Sequence, residues 1–142
     1  MIRRFRLAGV LRARQAQEDA VKAEVVLARG AARTARSEAR ERAETLRTSD
    51  APQRGTAQAI VASLAARQAL AADLAVARAG VGTADIKVDA RLADLAEAAK
   101  RRRVVEKLGE RHIAQLRAKD AAVEQQALDE IAVTAAARKG LA

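Results

Sequence analysis

His112 is the only imidazole in the chain, and there is no cysteine or second histidine with which it could share a metal ion. The candidate nucleophiles are three serines, Ser37, Ser49 and Ser63, with no tyrosine, tryptophan or cysteine beside them. Catalysis needs converging polar groups held in a pocket, whereas carboxylates spread along an extended helix face water. Gly80-Val81-Gly82 lacks both the spacing of a phosphate-binding loop and a preceding strand. These residues point away from an enzyme and call for no cofactor, metal or small-molecule substrate.

Positive charge is the chemistry that remains. The formal net charge is +9 and the isoelectric point about 11.1, which suits an acidic protein surface, an anionic membrane or nucleic acid. Lys100-Arg101-Arg102-Arg103 is the densest basic run. Four consecutive helical residues point in nearly all directions, so the run reads as a collar. It could attract phosphates, but no aromatic residue stands near it to stack bases. A solvated stretch or a protein contact fits it better. A second basic cluster, Arg3, Arg4 and Arg6, surrounds Phe5, the one aromatic residue, which either closes the end of a helical seam or belongs to a partner-binding end.

The elements that must carry these charges are long helices. Half of the residues are hydrophobic, mostly alanine, which supplies too little area for a thick core. Enrichment in Ala, Arg, Glu, Leu and Lys marks long helices or coiled coils. From about residue 3 to 48, two columns step by seven. Leu7, Arg14, Val21, Ala28, Ala35 and Arg42 form one; Leu11, Glu18, Val25, Ala32, Ala39 and Leu46 form the other. Such a period implies a left-handed supercoil against a partner. Glu18–Lys22 and Glu38–Arg42 are spaced for i,i+4 pairs of about 0.2–0.5 kcal/mol each.

Residues 49–56 combine Ser, Asp, Pro and Gly, a turn signal, with Thr56 placed to cap the next helix. That second helix runs from about 57 to 139. Its column is Ile60, Arg67, Leu74, Val81, Val88, Leu95, Arg102, Gly109, Leu116 and Val123. The phase survives Gly80 and Gly82, which favours one helix with at most a bend at 79–83. Within residues 104–131, Val105, Leu108, Ile113, Leu116, Val123, Leu128 and Ile131 recur among charges of both signs. The expected fold is therefore all-α: a single domain over 1–142, an elongated two-helix antiparallel coiled coil, or helical hairpin, whose second helix is the longer. Its seam holds Leu7, Leu11, Val21, Val25, Leu46, Ile60, Leu74, Val81, Val88, Leu95, Leu116 and Val123. No apolar run is expected to reach the roughly 18–20 residues that span a bilayer. The Leu7–Leu11 run is too short for a signal sequence, so a cytoplasmic, soluble chain is expected.

Two groups of residues stand out at the ends: Phe5-Arg6-Leu7, Val10-Leu11, Arg14 and Glu18 near the start, and Val105-Glu106-Lys107-Leu108, Glu110-Arg111, Gln125 and Leu128-Asp129-Glu130-Ile131 near the end. In them the chain resembles the FliJ family, a coiled-coil component of the bacterial flagellar type III export apparatus. Between about 35 and 100 the likeness is in helical character alone. The resemblance implies a non-enzymatic stalk that binds the hexameric export ATPase, promotes assembly of its ring, contacts the export-gate membrane protein and escorts export chaperones. It implies a cytoplasmic location, peripheral to the membrane at the flagellar base. The expected ATPase contact combines Phe5, Arg6 and Arg14 with Arg103, Glu106, Lys107, Glu110, Arg111 and His112, helical positions that step round the axis at about 100° each and so can present a collar of charge. The family's gate contact uses aromatic residues on the hairpin half, which this chain lacks. A structural coiled-coil scaffold and a basic helical nucleic-acid binder are the other classes the residues leave open.

Overall fold

In the computed structural model, which describes residues 7–50 and 52–140, α1 spans Ala8–Thr48 and α2 spans Ala57–Gly140. No strand occurs among the described residues, α2 is the longer helix, and the two helices contact each other as a hairpin, as the heptads imply. The connection is built from capping chemistry. The Thr56 hydroxyl accepts the Ala59 N–H at 3.2 Å, satisfying an orphan donor at the start of α2. The Arg67 guanidinium donates to the Ser49 carbonyl just beyond α1, where the helix leaves acceptors unpaired. α2 runs unbroken through Gly80 and Gly82. There the Thr83 hydroxyl donates back to the Ala79 carbonyl at 3.1 Å, a bond made inside a helix rather than at a cap.

The chain divides into two compact units, residues 17–99 and residues 1–16 with 100–142. In the first, Glu18, Val25, Ala28 and Ala32 of α1 and Leu74 of α2 are buried. Val21, Ala35, Ala39 and Leu46 flank them half-buried, as do Val81, Val88 and Leu95 on α2. The core is one side chain thick, and alanine lets the backbones approach. The two predicted i,i+4 pairs form, Lys22–Glu18 at 3.0 Å and Arg42–Glu38 at 3.5 Å. Ion pairs cross between the helices, among them Arg91–Glu24 at 3.1 Å and Arg36–Asp85.

α2 has a second seam column besides the one that starts at Ile60. Ser63, Leu70, Ala77, Ala84, Arg91, Ala98, Val105 and His112 also step by seven, and each is half-buried except Val105, which is buried. One column per helix makes only half a seam; alternating steps of three and four complete it.

In the other unit, Leu11 and Arg14 of α1 are half-buried, and Val105 is 8% exposed. Arg102, Gly109, His112 and Leu116 continue the seam, and then it stops: every residue from Arg117 to Gly140 is exposed. Val123, expected in the seam, is 64% exposed. The next position in its column is Glu130, so the apolar phase is lost there. Leu7 and Ile60 are exposed at the seam's margins as well.

The expectation of no membrane-length apolar run is also corrected. α2 contains an 18-residue stretch of mean hydropathy 1.5 that is only 6% buried. Its apolarity is mainly alanine, and it falls in the first third of α2, where charges are sparsest.

Candidate partner-binding segment

Charge is partitioned between the two units. Residues 17–99 contain twelve basic and twelve acidic side chains, whereas residues 1–16 and 100–142 contain fifteen and six. The whole net charge of +9 therefore belongs to the second set. Within it, residues 120–130 are locally acidic through Asp120, Glu124, Asp129 and Glu130.

α2 determines how the basic residues near position 100 are displayed. Its seam flank holds Arg102, Val105, Gly109, His112 and Leu116, all buried or half-buried. Arg103, Lys107 and Arg111 are exposed and lie four residues apart, so they form one ridge on the opposite flank. Glu110 is exposed beside them. The full collar expected from consecutive charges is therefore one-sided on this helix. The packed seam claims part of the circumference, and a guanidinium such as Arg102, 23% exposed, is drawn onto it. Arg102 holds the Glu106 carboxylate at 2.6 Å, so Glu106 faces its own helix before any partner. His112 is half-buried in the seam and Arg14 is half-buried on α1. Phe5 and Arg6 lie outside the described residues.

The final segment adds apolar contact to this charge. Val123, Leu128, Ile131 and Val133 are 61–69% exposed. At about 100° per residue Val123, Ile131 and Leu128 fall within an arc of about 140°, and Val133 lies well outside it. A flat partner could cover three of these side chains, whereas a partner that encloses the helix could cover all four.

Elsewhere the surface offers shallow grooves. One of about 350 Å³ is lined by Ala35, Val76, Ala77 and Gly80 with Glu38, Arg42 and Asp73 at its rim. Another of about 360 Å³ is lined by Leu27, Ala28 and Ala31 with Glu24, Lys87 and Arg91. Both are open, and neither brings a nucleophile against a general base. Among the described residues no group of three or more His, Cys, Asp or Glu side chains could hold a metal ion. Ion pairs perturb ionisation at several helix positions. Hydrogen bonds to the Glu18 and Asp19 carboxylates raise the Lys22 pKa, and the Arg47 guanidinium lowers that of Glu44 while its own rises.

The exposed ridge was legible as charge in the sequence, but its one-sidedness was not, because it depends on the second seam column of α2. Compared with known proteins, the chain matches the family model described as flagellar FliJ protein over residues 3–141. The match includes the middle of the chain, where the residues themselves carried no specific likeness. No curated protein and no solved structure matches it.

Proposed function

From the premise that the chain belongs to the FliJ family and is a component of the flagellar export apparatus, we propose that it is the non-enzymatic stalk of the export ATPase. In this reading the segment formed by residues 1–16 and 100–142 enters the hexameric ring, promotes its assembly and raises its turnover. Contact with the export-gate membrane protein and escort of export chaperones complete the role, and the chain works at the inner face of the membrane at the flagellar base. The observation that carries the reading is the confinement of the net charge to this segment, together with exposed large apolar side chains over more than half of the helix circumference between Arg117 and Gly140. An enclosing ring meets a helix from several sides at once. Charges there set register and association rate more than affinity, while burial of Val123, Leu128, Ile131 and Val133 supplies the holding energy.

Phe5, Arg6, Arg14, Arg103, Lys107, Glu110 and Arg111 are the proposed contact residues. Glu106 and His112 act through the seam that orients the ridge. The test is ATPase turnover and ring formation with and without the chain. Wild type raises both. Lys107→Glu with Arg111→Glu abolishes the effect while leaving helicity unchanged by circular dichroism. If saturating wild-type chain leaves turnover and assembly unaltered, the stalk reading fails and a scaffold role replaces it.

A further inference from the structure

The apolar first third of α2 has two flanks with different fates. One packs in the seam through Leu70, Leu74 and Ala77. The other is an exposed stripe that runs from Ala57 to Gln68 by steps of three, one, three, one and three, and from Gln68 to Ala79 by the same steps. At 100° per residue these positions occupy an arc of roughly 160° turned away from the seam. Val61 is 65% exposed, Leu64 51% and Val76 73%. No charged residue lies along its middle, where Gln68 is the polar side chain; Gln58 and Arg78 stand at its two edges, on the azimuths of Val76 and Ile60.

Gln68 is also its midpoint. Running the stripe backwards about Gln68 sets Ile60 opposite Val76, Val61 opposite Ala75, Leu64 opposite Ala72, and Gln68 opposite itself. Near the axis the large side chains Val61 and Leu64 meet the alanines Ala75 and Ala72, the alternation that lets two helices interdigitate, while Ile60 and Val76 meet at the stripe's edge. Two carboxamides meeting on a dyad can each donate to and accept from the other. A two-fold contact uses one patch twice, so it must be self-complementary in this sense. Electrostatics permits it, because residues 17–99 have equal numbers of basic and acidic side chains. A bilayer is the poorer occupant. It would require apolar surface on every side, and α1 in the same unit carries Glu38, Glu41, Arg42 and Glu44, all exposed.

We infer that the stripe is the contact between two copies of this chain, packed antiparallel with Gln68 at the two-fold axis. About six turns of helix, roughly 33 Å at 1.5 Å per residue, give a contact near the low end of the ~1,200–2,000 Å² that stable pairs bury. The pair therefore forms reversibly and depends on concentration. Because it is apolar, it withstands salt that screens the basic segment.

The chain has no cysteine, so single replacements report on the geometry. Sedimentation velocity of the full chain over a hundredfold concentration range shows monomer giving way to dimer. Leu64→Glu holds it monomeric without loss of helicity, since residue 64 faces solvent in the single chain. Under mild oxidation Gln68→Cys cross-links to itself. Val61→Cys does not, but cross-links to Ala75→Cys when the two variants are mixed. Self-linking of Val61→Cys as fast as Gln68→Cys means a parallel pair and overturns the inference. So does a monomer at every concentration, including one that co-sediments with phosphatidylcholine vesicles, which would make a lipid surface the occupant.

Discussion

Residues 17–99 and the unit formed by residues 1–16 and 100–142 use the same α2 in opposite ways. In the first, α2 is matched along its length by α1: the two seam columns are occupied, and the charges sum to zero. In the second, the seam closes over Val105 and lapses after Leu116, leaving 24 consecutive exposed residues, Arg117 to Gly140, with a charge imbalance nearby. The same residue types thus serve cohesion in one place and remain available in the other. The difference lies in the partner helix. Where α1 packs on α2, apolar residues spaced at three and four are buried within the chain; Val123 keeps its column yet stays exposed, and burial there has to come from outside the chain.

The largest effect that separates the two regions comes from a carboxylate placed in each. Val25→Asp puts an unsolvated charge at a position only 4% exposed and costs about 3 kcal/mol or more. Thermal unfolding followed by circular dichroism should drop by about 10 °C. Val123→Asp, at a position 64% exposed, should stay within about 0.5 kcal/mol of wild type. Equal shifts in the two variants would mean that the seam does not end at Leu116.

A smaller, stabilising effect sharpens the comparison from the matched side. Gly80 and Gly82 are helical, and a Cβ added to either meets nothing within 4 Å. Replacing each with alanine removes conformational freedom from the unfolded chain, worth about 0.4–1 kcal/mol apiece. The midpoint of unfolding should rise, and a fall would show that the glycines serve a bend absent from this structure.

The smallest effect concerns pH. Arg47 holds the Glu44 pKa below its ordinary value. The associated stability is present above the unfolded carboxylate range and is lost as pH falls through the lower folded value. Lys22 is raised by Glu18 and Asp19, so its contribution is present below its unfolded pKa and lost as pH rises through the higher folded one. Both groups are on the surface, where such pairs are weak. Glu44→Gln should therefore flatten only the acid edge of a stability–pH curve, and Lys22→Gln only the alkaline edge. A change at neutral pH would point to packing instead.

Much of this could be read from the chain directly. Period-seven columns, the Ser-Asp-Pro-Gly turn and the shortage of large apolar residues specify two long paired helices because backbone helicity and seam burial are local, repetitive properties. The pairs Glu18–Lys22 and Glu38–Arg42 arise from spacing alone for the same reason. The end residues carried the family likeness. What tertiary structure decided is which flank of each helix the seam takes. That choice buried Val105, turned His112 inward, reduced an expected collar to the ridge Arg103–Lys107–Arg111, and left Val123 in solvent. It also divided the alanine-rich start of α2 into a covered flank and an open one. A sequence assigns every apolar residue a tendency to be buried, but only the partner helix, with its finite length and single contact line, determines which of them are.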